Sequence, residues 1–193
     1  MSSHEVLYRV SAALRDVIHK GLDGKFVANE NEITFTDPGK TSSSEDRKLS
    51  LWLYQVTENE FVKNQPPVRS AKVAQGEELP PLALNLFYLV TPFTGGDQND
   101  LHLLGKVMEI LHNNNTITLN DPVNDLSEEL HVLLCRLTLE ELTRIWEARR
   151  EPYRLSVCYE VRVTRIRGVN APERARIAER DAGFGQKPRE LAS

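Results

Sequence analysis

Cysteine is nearly absent from this chain, with two in 193 residues, and the pair lacks CxxC spacing. That excludes a disulfide-built scaffold and a cysteine-rich zinc module. Cys135 and Cys158 both fall in strand-like runs and read as small buried apolar residues rather than a metal site or redox pair. No stretch approaches the ~18 apolar residues of a membrane-spanning helix. The N-terminus has no basic segment followed by an apolar one, so the reading is a soluble protein without an export signal. The five histidines are scattered and form no HExxH pair, which leaves no metal ligand set. There is no GxSxG, and the serines at 42–44 sit in a polar loop with no turn to activate them. Gly95-Gly96 is followed by "DQND", whose acids would repel a phosphate, so it reads as a turn. The acidic pairs Glu128-Glu129 and Glu140-Glu141 read as helix starts, where the dipole favours negative charge. The expectation is a protein that is not an enzyme, with no catalytic, cofactor-binding or metal-binding residue.

What is present is ordinary globular composition, 40% hydrophobic and 27% charged, enough for one sizeable core. The net charge of -4 gives no overall mark of nucleic-acid binding. Its distribution is uneven. From Arg162 to Ser193 there are 8 Lys/Arg against 4 Asp/Glu, net +4, so the other 161 residues carry 16 against 24, net -8. The tail "RVTRIRGVNAPERARIAERD" has almost no aromatic interleaving, which argues for protein contact over nucleic acid. "PERARIAER" has the makings of a short helix with Pro172 near its start.

Residues 3–20 predict an amphipathic helix, with Val6, Val10, Leu14, Val17 and Ile18 in one stripe. Ser2 and Glu5 have capping-box spacing, and Gly21 is the expected left-handed stop. "EITFTDP" predicts a short strand ended by Pro38. "LSLWLYQVTEN" has bulk on both faces and predicts a central strand covered on both sides. The next segment, "EFVKNQPPVRSAKVAQGEELPP", has four prolines and no period, and reads as a long arm or lid. "LALNLFYLVTPF" predicts a strand with Leu82, Leu84, Leu86, Tyr88 and Val90 on one face. Asp100 is placed to cap a helix whose Leu101, Leu104, Met108 and Leu111 share a side. "TITLND" and "LHVLLCRLT" predict strands. Thr138 and Glu141 predict a capping box for a helix with Leu142, Ile145 and Trp146 on its apolar face. Last, "PYRLSVCYEVRVTRI" alternates Leu155, Val157, Tyr159, Val161 and Val163 against polar residues, a half-buried strand about twice the usual length. The order has no βαβ repeat. It predicts an α+β fold: a mainly antiparallel (mixed) sheet with helices packed on one face.

Taken together, "LWLYQVTEN", "PPLALNLFYLVTPF", "HLLGKVMEILH", "LTLEELTRIWEA" and "PYRLSVCYEVRVTRI" resemble the N-terminal-type domain of the cap, or tail-terminator, proteins of extracellular contractile injection systems. The similarity runs from the first helix to about Ile166. It implies a structural part that closes the distal end of a phage-tail-like particle as a sixfold ring, with tube and sheath proteins and further copies of itself as partners. It implies no catalytic residue, no cofactor, no nucleic acid and no membrane span. Assembly in the cytoplasm and release with the particle are implied with it. The expected organisation is one domain over 1–167 and a basic C-terminal arm or flexible tail over 168–193, with Arg162, Arg165, Arg167, Arg174, Arg176 and Arg180 as candidate assembly contacts. Another adaptor or a tube-initiating part of such a particle stays open, as does a small enzyme or binding domain.

Overall fold

The computed structural model describes residues 5–22, 24, 26–42, 48–60, 82–121 and 126–166. Its elements are α1 (Val6–Gly21), β1 (Ile33–Thr34), α2 (Pro38–Ser42), β2 (Leu49–Glu58), β3 (Leu82–Pro92), α3 (Asp97–Asn113), β4 (Thr116–Asp121), β5 (Leu126–Leu134), α4 (Leu139–Arg149) and β6 (Val157–Ile166). The strands form one sheet in the order β1-β2-β3-β6-β5-β4. Among the described strands β1–β2 is parallel and every other pair antiparallel. The α+β expectation holds, with a mixed and mainly antiparallel sheet.

Paired residues across the ladders sort the side chains onto two faces. On the first lie Leu51, Leu86, Tyr88, Val90, Tyr159, Val161, Val163, Leu130, Val132, Ile117 and Leu119, all buried in one core with α1 and α3. The α1 stripe supplies Val6, Val10, Leu14 and Ile18, with Val17 packed at its margin. One polar link crosses this core. Ser11 donates its hydroxyl proton to the Leu7 carbonyl at 2.9 Å, so the Tyr88 hydroxyl, 2.8 Å away, is the donor to Ser11 Oγ. Burial pushes the Tyr88 phenol up to about 12, partly opposed by that Ser11 contact.

Several expectations need correction. Gly21 is the last helical residue, not a left-handed stop, and Leu22 follows it with ordinary right-handed angles. Its role is a close approach: a Cβ there would come 2.6–2.9 Å from the Ile110 side chain. Glu5 caps α1 without a side-chain hydrogen bond, and Ser2 lies outside the described residues. In α3 the buried stripe is Leu103, Leu104, Val107, Ile110 and Leu111, while Leu101 is 59% exposed. Asp100 sits inside that helix, and its carboxylate accepts from the Thr94 amide and hydroxyl, both at 2.7 Å, closing the Gly95-Gly96 turn. Glu128 and Glu129 lie in β5, not at a helix start. The last strand begins at Val157, so Leu155 is exposed in the approach to it. The capping box of α4 is present as expected, with Thr138 and Glu141 bonded reciprocally.

Candidate assembly surface

The second face of the sheet differs along its length. Near the β2 start it carries Ser50, Trp52, Tyr54, Leu89, Thr91 and Cys158, and α4 with its flanks reaches over it. The Arg149 guanidinium stacks 5.3 Å from the Trp52 ring and bridges to Asp37 at 2.7 Å. Asp37 precedes Pro38 and accepts from the Lys40 amide, so it also caps α2. Burial raises the Asp37 carboxyl, but the Arg149 hydrogen bond, the Lys40 amide and both charges outweigh it and hold the carboxyl below its ordinary value. Arg154 stacks 5.0 Å from the Phe93 ring. Among the described residues nothing gives the other half of this face such cover. Gln55, Arg162, His131, Thr118 and Asn120 are exposed there, and Ile117 and Leu119 alternate with them on the buried side of β4.

Both ends of the strand system matter for contact with other chains. β1 pairs only with Leu49 and Ser50, so beyond Ser50 no described strand lies outside β2. Val56 and Leu82 are 42% and 43% exposed where β2 ends and β3 begins. The register sets Leu82 against Ile166 and Leu84 against both Glu58 and Val163. The segment after β2 and the C-terminal tail therefore both leave from this one end of the sheet. On the far side β5 pairs with β6 only from His131 to Leu134, leaving the last residues of β6 paired to β3 alone among the described residues.

Of the candidate contact residues, Arg162 is the one whose side chain is described. It is half exposed on the open half of the second face and binds Glu160 through Nε at 3.0 Å and a terminal nitrogen at 3.3 Å. That bond raises its already high pKa. Arg165 lies on the backbone of β6 near its end. Arg167, Arg174, Arg176 and Arg180 lie outside the described residues, as do most of the proline-containing segment and the "PERARIAER" stretch. The sequence predicts β2 as a central strand covered on both sides, whereas no described strand lies beside its outer edge beyond Ser50, because β1 pairs over only two residues.

Among the described residues no group of three His, Cys, Asp or Glu is placed to hold a metal ion. Nor is any described helix long and apolar enough to cross a membrane. Cys135 and Cys158, distant in sequence, are brought side by side, and the Tyr54 hydroxyl lies 3.2 Å from the Cys158 sulfur.

Comparison with known proteins places this arrangement. Solved structures that share it include two parts of contractile injection systems. One is the sheath/tube terminator of the PVC extracellular contractile injection system in its extended state, with 17% identity and a TM-score of 0.60, over 93% of this chain and 65% of that one. The other is the tube-terminating cap of the anti-feeding prophage, with 19% identity and a TM-score of 0.50, over 77% of this chain and 52% of that one. At these identities the likeness shows a common fold, and the chain spans less than two thirds of the length of either protein. No curated protein matches significantly. The family model described as the Pvc16 N-terminal domain matches residues 9–180, and the chain belongs to that family.

Proposed function

We propose that this protein is a structural terminator of a contractile injection system, closing the distal end of tube and sheath as a homo-oligomeric, sixfold ring. What supports the reading is the family membership, joined to a fold shared with two terminators over most of the chain. A ring needs head-to-tail contacts that close on themselves. A β2 edge with no described strand beside it beyond Ser50, and two segments leaving one end of the sheet, suit such contacts through strand addition or arm exchange. In this reading residues 1–167 are the domain and 168–193 the basic arm, with Arg162, Arg165, Arg167, Arg174, Arg176 and Arg180 meeting an acidic neighbour. The protein performs no catalytic step and needs no cofactor. It is made and assembled in the cytoplasm and leaves with the particle.

Deleting the gene and imaging the particles by electron microscopy tests the role. Loss of a terminator gives tubes of abnormal or unstable length, whereas complete absence of tubes identifies an initiator and overturns the proposal. Truncation after Ile166 separates the arm from the domain: a folded protein with weakened assembly is expected. Normal capping by the truncated chain would remove the arm from the mechanism.

A further inference from the structure

Neither the core nor the terminator reading uses the two thiols. Cys158 is buried in β6 on the second face of the sheet. Cys135 follows the last residue of β5, one step past the pair Leu134–Tyr159, and its amide donates to the Cys158 carbonyl at 2.8 Å. The two residues thus stand directly opposite one another across antiparallel chains, with side chains on one face. Opposed residues of an antiparallel pair have Cα atoms about 4.5–5.5 Å apart, within the roughly 4.4–6.8 Å that a disulfide spans, and here one of the two possible ladder bonds, from the Cys135 amide, is made. The Cys158 sulfur also lies 3.2 Å from the Tyr54 hydroxyl, on the same face as Cys135. Because β5 ends at Leu134, the Cys135 backbone is held by one ladder bond and has room to adjust.

We propose that Cys135 and Cys158 form a disulfide site, closed by a small disulfide oxidant of the glutathione class, that ties the α4 segment to β6. Solvent access divides the labour: Cys135 is half-buried and Cys158 is buried. The Cys135 sulfur, as thiolate, attacks the oxidant's S–S bond and expels one thiolate. The Cys158 thiolate then attacks the Cys135 sulfur of the mixed disulfide and expels the second. Two cysteine thiols are oxidised, the oxidant's disulfide is reduced to two thiols, and the two cysteine protons end on the departing groups. The second step is the favoured one. Hydrogen bonds from Cys135 and from Tyr54 outweigh burial and hold the Cys158 thiol below its ordinary value. The bond to Cys158, then burial, push the Cys135 thiol up. Once the mixed disulfide has formed, the Cys158 sulfur already stands opposite Cys135, so closure is an intramolecular step. Closure would join the two ends of the segment that holds α4, whose Arg149 covers Trp52.

The test uses the full chain, native, incubated with oxidised glutathione, then denatured, alkylated and weighed by intact mass spectrometry. The expected product has lost the mass of two hydrogens, takes no alkylating agent, and regains two reactive thiols after dithiothreitol. Its peptide map links Cys135 to Cys158 within one chain. Two alkylated cysteines, a stable glutathione adduct on the natural chain, or a bridge between chains would each overturn the proposal. The variant Cys158→Ser is expected to accumulate the adduct on Cys135 that the natural chain does not. The variant Cys135→Ser, with its remaining thiol buried, is expected to gain none while folded. Equal adducts on both variants would show that access does not set the order of attack.

Discussion

The two faces of the single sheet are built by different means. The first is closed by α1 and α3 over a continuous apolar layer with one buried hydroxyl pair inside it. Among the described residues the second is covered over only half its length, by a short helix that leans on stacked cations, an ion pair and a capping box. Apolar burial is non-directional and adds up, so the first face accounts for most of the fold's stability. Stacked arginines and a partly solvated ion pair contribute less, while fixing where α4 sits. The face that holds the fold is the covered one. On the other, half of the surface is left uncovered by the described residues.

Matched truncations test that division most directly. Leu86 is fully buried on the first face, and Leu133 is 39% exposed on the second. Leu86→Ala is expected to cost about 2–5 kcal/mol in urea unfolding, and Leu133→Ala no more than about 0.5 kcal/mol. Equal losses would mean that the second face is as closed as the first. Within the core, Ser11→Ala leaves the Tyr88 hydroxyl without an acceptor and should cost about 1–3 kcal/mol. Tyr88→Phe, which leaves Ser11 still bonded to Leu7, should cost about 1 kcal/mol. Adding Tyr88→Phe to Ser11→Ala should restore stability in part, since no buried donor then remains.

The division is partly legible in the sequence. Period-two alternation in "LALNLFYLVTP" and "VCYEVRV" assigns residues to the correct faces, because a strand with one face in the core must repeat every second residue. The α1 stripe and the α4 capping box are equally local and equally clear. The phase of α3 is not, because Leu101, Leu103 and Leu104 are apolar together and only the approach of α1, through Gly21 and Ile110, decides which of them is buried. Glu128 and Glu129 resemble a helix start because nothing in their immediate neighbours records that β4 runs beside them. The thiol pair is invisible for the same reason. Adjacency across strands is a property of register, and each cysteine alone looks like a small core residue. Of the candidate arginines, Arg162 falls on the polar phase of the β6 alternation and is half exposed in the fold, while the remainder of that arm stays a proposal.

A smaller effect separates the faces by pH. Burial pushes the Asp37 carboxyl up, and Arg149 does most to outweigh it and hold the group below the ordinary carboxylate range. A lowered carboxyl stabilises the fold at neutral pH, with that contribution complete above the unfolded value of ~3.9 and lost as pH falls through the folded one. Arg149→Ala should therefore lower the urea midpoint at pH 7, and the gap from the natural chain should narrow as pH falls toward ~3. A gap of constant size across that range would assign the loss to the stacking on Trp52 instead of the ion pair. Because Arg149 is 39% exposed, solvent screens the pair and the effect stays below that of the buried hydroxyl.

The smallest expected effect lies at the end of α4. Arg150 terminates the helix with φ 57, in the left-handed region, and its amide and that of Glu151 return to the Glu147 and Trp146 carbonyls. Glycine is the usual residue at such a stop because it has no Cβ to crowd the following carbonyl. A left-handed L-residue costs about 1–2 kcal/mol, and glycine gives back about 0.5–1 kcal/mol through its freer unfolded chain. Arg150→Gly should then raise stability by roughly 0.5 kcal/mol, whereas Arg150→Val should lower it, since a β-branched side chain tolerates that angle poorly. Opposite signs for the two variants would show that the turn returning the chain from α4 to β6 is held under strain. That strain is tolerable because the preceding residue, Arg149, already fixes the helix on the sheet through Trp52 and Asp37. If both variants are neutral, the left-handed stop is not maintained, and the cover on the second face is looser than the stacked contacts imply.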